Sequence, residues 1–210
     1  ESYDYDAAGN LITDRAGNAF SFDGENLQAA FTYEGGGQAA AQYFYDGEGR
    51  RVKKVADNNT TVFVYDALGK LVAEYESNPQ PGSGTTYLTA DNLGTPRVTT
   101  DAGGSVKARH DYAPFGEELS AGSGGRTMQN GYVGDNVNQR FTQKERDNET
   151  GLDFFEARYY ASTQGRFTSV DPDNAGASEL HPQSWNGYAY SLNNPLRFID
   201  PDGLRWAQAA

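Results

Sequence analysis

The chain has 210 residues, with 17 Lys and Arg against 29 Asp and Glu and a formal net charge of −12. So acidic a chain repels a phosphate backbone, and we expect no nucleic-acid partner. There is no Cys, and the two histidines, His110 and His181, lie far apart, so we expect no cofactor and no metal site. No apolar run reaches the ~20 residues that span a bilayer. Glu1 opens no signal-peptide pattern, so none is predicted in this chain.

The composition favours an all-β protein. Leu, Ile, Val and Phe make up only about 17% of the residues, which together with the high charge is typical of disorder. Against disorder stand 14 Tyr and 2 Trp, because aromatic side chains bury a large area when they fold into a core. The 25 Gly residues indicate many tight turns between short strands.

A repeat occupies the first half of the chain. Each copy has an aromatic residue and Asp, then two or three small or polar residues, then an apolar residue. The Asp carboxylate can accept the backbone N–H two residues on, and Gly three residues on tolerates the positive φ that closes the turn. Alternating apolar flanks predict a β-hairpin for each copy, and stacked hairpins share one aromatic face. One Asp-x-x-Gly is ordinary turn chemistry, but seven copies indicate a repeat: 5–11, 45–52 and 65–71, with degenerate copies at 22–27, 90–94, 100–104 and 112–116.

The pattern divides the chain into a hairpin array at 1–118, a flexible Gly- and Ser-rich link at 119–125, a core region at 126–204 and a tail at 205–210. Because Glu1 begins inside a repeat, we interpret the chain as a fragment of a longer one. The finer predictions are a connecting loop at 77–84, strands around Met128 to Phe141, a short helix near Pro182 to Ala189, and turns at 193–195 and 200–203.

Two groups of side chains on the predicted strands allow more than one interpretation. Arg50, Arg51, Lys53 and Lys54 form a basic cluster after a turn, which we interpret as a solvent-exposed face or as protection of a sheet edge. The stripe of Tyr residues is typical of core or cross-strand pairs, but it could also stack against sugars.

Two Asp-Pro-Asp units, which begin at Asp171 and Asp200, are candidates for catalysis. When two carboxylates lie close together, repulsion raises the pKa of one of them, so that one can activate water while the other donates a proton. The same residues also form good turns, and a purely structural role is the alternative.

The Tyr-Asp-x-x-Gly-x-Leu unit resembles the YD repeat of bacterial RHS proteins, which are similar to the C components of insecticidal toxin complexes and to part of the teneurins. Further stretches resemble the RHS-repeat-associated core domain: 151–160, 165–172, 186–195 and 200–204. The resemblance implies an all-β fold of stacked or spiralling antiparallel hairpins that forms part of a shell, with the core region closing that shell around a variable C-terminal toxin.

The resemblance also implies a site. Asp171 and Asp200 would meet as an aspartyl-protease-like pair, with Arg158 required, and would cut the chain once between Leu204 and Arg205. The implied activity is a single-turnover self-cleavage and not that of a turnover enzyme.

The implied partners are the chain's own C-terminal cargo, which this sequence lacks, and a partner shell or secretion machinery that exports the protein from a bacterium. The alternative function is a non-catalytic structural or adhesive module that binds glycans, proteins or a cell surface.

Overall fold

The computed structural model describes residues 2–69, 71–78 and 85–209, so most of the predicted connecting loop at 77–84 lies outside the described residues. Within those ranges the chain contains short antiparallel strands and five 3-10 helices, and it contains no α-helix. The all-β expectation is therefore confirmed. No helix in the described part of the chain has both the length and the apolar character needed to cross a membrane.

In the part of the chain that the structure describes, four antiparallel sheets follow one another, each with its strands in sequence order. The first sheet has eight strands: β1 (Asp4–Tyr5), β2 (Leu11–Thr13), β3 (Ala19–Phe22), β4 (Gln28–Thr32), β5 (Ala41–Tyr45), β6 (Arg51–Ala56), β7 (Asn59–Tyr65) and β8 (Leu71–Glu76). The second has three: β9 (Tyr87–Ala90), β10 (Pro96–Thr100) and β11 (Val106–Arg109). The third has four and the last has two: β12 (Glu145–Asp147), β13 (Leu152–Phe154), β14 (Tyr159–Ala161) and β15 (Arg166–Phe167), then β16 (Phe198–Ile199) and β17 (Ala207–Gln208).

The hairpin turns have the predicted chemistry. At Asp46, Oδ1 accepts the backbone N–H groups of Glu48 at 2.9 Å and of Arg50 at 3.0 Å, and Gly49 closes the turn at φ 78°. The carboxylate thereby satisfies two backbone N–H groups of the turn without a hydrogen bond to a neighbouring strand. The same pair of bonds forms at Asp6, Asp14, Asp23, Asp91 and Asp101. The turn at Asp14 is absent from the predicted set, because Thr13 and not an aromatic residue precedes it.

A β-bulge follows several of these turns and changes which side chains share a face. Tyr45 pairs with Arg51 while Phe44 pairs with Lys53, so Val52 is an extra residue on β6. Residues three apart, Arg51 and Lys54, therefore lie on the same side of the strand, where a regular strand would place them on opposite sides.

The prediction of a solvent-exposed basic cluster is wrong for Arg51 and Lys54, which are 0% and 8% exposed. The bulge turns both inward against β12. There Arg51 Nη1 lies 2.6 Å from Asp147 and Nη2 2.6 Å from Glu145, while Lys54 Nζ lies 2.7 Å from Asp147. Arg51 and Lys54 therefore form, with Glu145 and Asp147, a buried ion network that joins the first sheet to the third. Lys53, on the opposite face, remains half-exposed.

Aromatic side chains fill two cores, as the Tyr-rich composition predicts. The first joins the eight-stranded sheet to the four-stranded one through Phe31, Tyr43, Phe154 and Tyr159, among other residues. The second core consists of Phe141, Phe155, Tyr160, Phe167 and Tyr190. The ring centroids of Tyr160 and Tyr190 lie 4.8 Å apart.

The segment before β12 differs from its prediction. Strands were expected around Met128 to Phe141, but Met128–Asn130 is a 3-10 helix with Thr127 as its N-cap, and the next strand begins only at Glu145. The strand prediction is therefore wrong, because side-chain caps and turns satisfy this backbone. The helix expected near Pro182 to Ala189 is only the 3-10 turn Pro182–Trp185.

The chain doubles back after residue 204. β17 pairs with β16, with Phe198 opposite Gln208 and Ile199 opposite Ala207. The Trp206 ring lies 5.1 Å from that of Phe198. The predicted tail thus contains a short strand that is paired to residues on the other side of Leu204.

Candidate functional site

Arg158 lies in the connection between β13 and β14, and its guanidinium is held from several sides. Nε donates to the carbonyl of Gly203, and Nη1 donates to the carbonyl of Gly187 at 2.7 Å. The guanidinium carbon lies 3.8 Å from the centroid of the Phe167 ring, which belongs to the second aromatic core. Burial lowers the Arg158 pKa, and the nearby carboxylates of Asp171 and Asp200 partly oppose this. The side chain is therefore a fixed cation with little freedom to turn.

Asp171 begins a 3-10 turn that follows β15, and it is 7% exposed. Its Oδ2 accepts the N–H of Gly176 at 2.9 Å, and its own N–H donates to Gly187 at 2.9 Å. Oδ1 lies 3.9 Å from Arg158 Nη2 and has no hydrogen-bond partner among the described residues. A buried carboxylate oxygen of this kind is unusual, because burial without a partner is costly.

Asp200 follows β16 and is 4% exposed. Its Oδ1 accepts the N–H groups of Gly203 at 2.9 Å and Leu204 at 3.1 Å, and its Oδ2 lies 3.7 Å from Arg158 Nη2. Burial raises the Asp200 pKa to about 6, since the opposing effect of Arg158 is smaller. Arg158 Nη2 thus lies within 4 Å of both carboxylates.

The carbonyl of Leu204 lies beside Asp171. A Cβ placed on Gly176 would be 2.8 Å from the Leu204 oxygen and 3.1 Å from Asp171 Oδ2, so both groups contact this glycine. The next nitrogen, that of Arg205, donates to Asp202 Oδ1 at 3.1 Å.

A cavity of about 20 Å³ lies among these groups. That volume is enough for about one water molecule, given that ~10–15 Å³ is needed. Its lining includes Arg158, Asp171, Gly187, Ser191, Asp200 and Leu204.

The predicted site residues Arg158, Asp171, Asp200 and Leu204 therefore surround one small polar cavity, although they come from three separate segments of the chain. Asp200 also forms a turn through its bonds to Gly203 and Leu204, so the structural role proposed as an alternative coexists with the site.

Sequence reasoning missed Gly176 and the linking role of Gly187. The backbone carbonyl of Gly187 accepts hydrogen bonds from both Arg158 Nη1 and the Asp171 N–H. No residue pattern in the sequence predicts a contact of this kind. Gly176 could have been suspected only from its place shortly after Asp171. In the described part of the chain, no group of three or more His, Asp or Glu side chains could hold a metal ion.

Known proteins resemble this chain in sequence and in fold. The family model described as Teneurin YD-shell matches residues 1–196. The chain is 29% identical to the tRNA3(Ser)-specific nuclease WapA of Bacillus spizizenii, over 97% of this chain and 9% of that protein. It is 35% identical to the toxin subunit YenC2 of Yersinia entomophaga, over 51% of this chain and 10% of that protein.

Solved structures show the same fold. The crystal structure of TcdB2-TccC3 superposes with a TM-score of 0.69 at 23% identity, over 95% of this chain and 11% of that one. The chain thus spans about a tenth of the length of each of these proteins. The family match and the stacked Asp-turn hairpins agree with each other, and this chain belongs to the YD-shell family of RHS-type repeat proteins.

Proposed function

We propose that this chain is the shell and core segment of a longer protein that encloses a C-terminal toxin, and that it cuts its own Leu204–Arg205 bond. The observation that carries the proposal is the grouping of Asp171, Asp200 and Arg158 around a cavity that the Leu204 residue also lines. The names of relatives such as a toxin subunit and a tRNA nuclease support a toxin cargo.

Asp171 serves as the general base. Its Oδ1 has no hydrogen-bond partner within the described ranges, and the residue lines a cavity with room for one water molecule. The water oxygen attacks the carbonyl carbon of Leu204, and its proton passes to Asp171. Because that carbonyl lies against Gly176 beside Asp171 Oδ2, the attack needs no large movement of the chain.

Asp200 serves as the general acid. With a pKa raised to about 6 by burial, it retains a proton at mildly acidic pH where an exposed Asp does not. That proton goes to the nitrogen of Arg205 as the C–N bond breaks, which leaves a carboxyl group on Leu204 and an amine on Arg205. Arg158 Nη2 lies within 4 Å of both carboxylates, and its positive charge stabilises the one that is charged at each stage.

The test is denaturing intact-mass measurement of the purified 210-residue chain. We expect the wild type to end at Leu204, while Asp171→Asn and Asp200→Asn keep the full mass. Asp101→Asn, a change in an ordinary exposed turn, should cleave like the wild type and serves as the matched control. Cleavage should slow as pH rises above about 6, because the protonated fraction of Asp200 falls.

A folded wild-type chain that keeps its full mass from pH 5 to pH 7 would overturn the cleavage proposal. The adhesive alternative predicts this result, together with unchanged mass in both Asp variants.

A further inference from the structure

Lys144 contacts the loop that carries Asp200, although it belongs to a different part of the chain. Its Nζ donates to the carbonyl of Pro201 at 2.5 Å and lies 2.9 Å from Glu156 Oε1. The side chain is 16% exposed, while that of Glu156 is 57% exposed. A mostly buried lysine side chain that is fixed on one backbone carbonyl loses conformational entropy. The contacts that it makes must offset this entropic cost.

The backbone of Lys144 is itself fixed to the second aromatic core. It follows the 3-10 turn Phe141–Gln143, and its N–H donates to the carbonyl of Phe141 at 3.0 Å. Phe141 is 2% exposed and packs on Tyr160 and Tyr190. The ammonium group therefore projects from a rigid base.

Other hydrogen bonds also hold the backbone of the loop from Asp200 to Leu204. Ala157 N–H donates to the carbonyl of Asp202 at 3.2 Å, and Arg158 Nε donates to that of Gly203. Pro201 has no N–H to contribute, so its carbonyl is the only backbone group with which this residue can be held. The bond from Lys144 thus holds the backbone just after Asp200, while the pairing of Ile199 with Ala207 holds it just before.

The position of this loop decides the geometry of the candidate site. The N–H groups of Gly203 and Leu204 fix the Asp200 carboxylate, and the carbonyl of Leu204 is the group to be attacked. Displacements of about 1 Å in such a contact can slow a reaction by about a hundredfold.

We propose that Lys144 is a positioning residue for the self-cleavage, which holds the Asp200 loop so that Asp200 and the Leu204 carbonyl stay in register with Asp171. The inference rests on the proposed function. It assigns no proton transfer to Lys144, which acts only through Pro201.

The first measurement is the rate of cleavage by denaturing mass spectrometry. We expect Lys144→Met to slow cleavage by at least about tenfold and Lys144→Arg, which keeps a donor, to restore the rate to within about threefold. Glu156→Gln is the matched control, because it removes the exposed ion-pair partner of Lys144 and leaves the bond to Pro201. It should cleave at the wild-type rate.

The second measurement does not depend on cleavage. In the Asp171→Asn background, amide hydrogen exchange at Gly203 and Leu204 should rise at least about tenfold on Lys144→Met, while β14 keeps its protection. Unchanged exchange at Gly203 and Leu204 would overturn the inference, even if the wild type cleaves. Conversely, faster exchange in a chain that never cleaves would support the role of Lys144 and reject the proposed function. If Lys144→Met does not fold, Lys144→Leu, which also lacks a donor, gives the same comparison.

Discussion

Gly176 shows how a single missing side chain shapes the candidate site. Its N–H donates to Asp171 Oδ2, and both that oxygen and the carbonyl of Leu204 border the space that a Cβ would occupy. A methyl group there would lie 2.8 Å from a backbone oxygen, which is closer than real Cβ atoms approach. Since its φ lies outside the left-handed region, alanine can adopt the backbone conformation and only the contact is affected.

We therefore expect Gly176→Ala to slow the self-cleavage by at least about tenfold, because the Leu204 carbonyl must move away from Asp171. The change in thermal midpoint should be small. Gly134→Ala is the matched control, since a Cβ at Gly134 meets nothing within 4 Å. The measurement is the half-time of the uncleaved mass. Equal half-times for the two variants would show that the Leu204 carbonyl is not attacked from the side of Gly176.

At the residue scale, the sequence could predict only those site residues whose side-chain type and motif indicate a chemical role. Asp171, Asp200 and Arg158 stand in recognisable motifs, and the structure brings them together. Gly187 and Lys144 act on or through backbone carbonyls, and their partners are far away in sequence. Such contacts depend on the folded path of the chain, so no spacing rule could have found them.

At the scale of the secondary-structure elements, the β-bulge after a turn has the largest effect. It places Arg51 on the inner face of β6, where its guanidinium pairs with Glu145 and Asp147 and its carbon lies 4.3 Å from the centroid of the Phe154 ring. The strict alternation of a regular strand predicts a solvent-exposed basic cluster. The extra residue of the bulge shifts this alternation, so that prediction is wrong for Arg51. The hairpins themselves were predictable, since each Asp turn is local.

Removal of the Arg51 charge should destabilise the fold strongly. Arg51→Met leaves the buried carboxylates of Glu145 and Asp147 with Lys54 as their one remaining ion-pair partner among the described residues, which should cost about 3–5 kcal/mol in the free energy of unfolding. The control is Lys53→Met on the outer face, where the loss of the ring contact with Phe44 should cost about 0.5–1 kcal/mol. Urea denaturation followed by circular dichroism measures both.

A restoring variant makes this test stricter. If the unpaired carboxylates cause the loss, then adding Glu145→Gln to Arg51→Met should recover part of the stability. Equal losses for Arg51→Met and Lys53→Met would mean that the ion network contributes nothing specific.

At the scale of the whole molecule, His110 links the three-stranded sheet to the segment before β12. The buried ring lies 2.6 Å from Glu118 through Nδ1 and 3.1 Å from Asp135 through Nε2, and Asp135 also pairs with Arg140 at 3.0 Å. Burial alone would lower the His110 pKa, but the hydrogen bonds to Asp135 and Glu118 outweigh it and raise the pKa to about 9.

The stability of the fold should therefore fall as pH rises. Because the folded pKa of about 9 exceeds the unfolded value of 6.5, the charged ring stabilises the fold fully below pH 6.5 and loses this effect as pH rises through 9. The change should be on the order of 2–3 kcal/mol. Urea midpoints at pH 6, 7.5 and 9 measure it. His110→Asn should remove most of this fall and leave the smaller part due to Glu74, whose pKa burial raises to about 7. A slope in that variant equal to that of the wild type would assign the pH dependence to other groups.

The packing of one sheet on another was beyond prediction at this scale. The composition and the repeat predict stacked hairpins, and the comparisons agree. That Tyr159 of β14 would pack on Tyr43 of β5 depends on partners more than a hundred residues apart, which a repeat period does not encode.

Because β16 pairs with β17, cleavage of the Leu204–Arg205 bond and departure of the segment after it are two separate events. These strands lie on opposite sides of the Leu204–Arg205 bond, and Trp206 packs against Phe198. Hydrolysis would therefore leave a nicked protein whose new N-terminal segment is still held by backbone hydrogen bonds and ring contacts. Departure of whatever follows would need a second input, such as a pulling force or an opening of the shell, and the two strands would act as its latch.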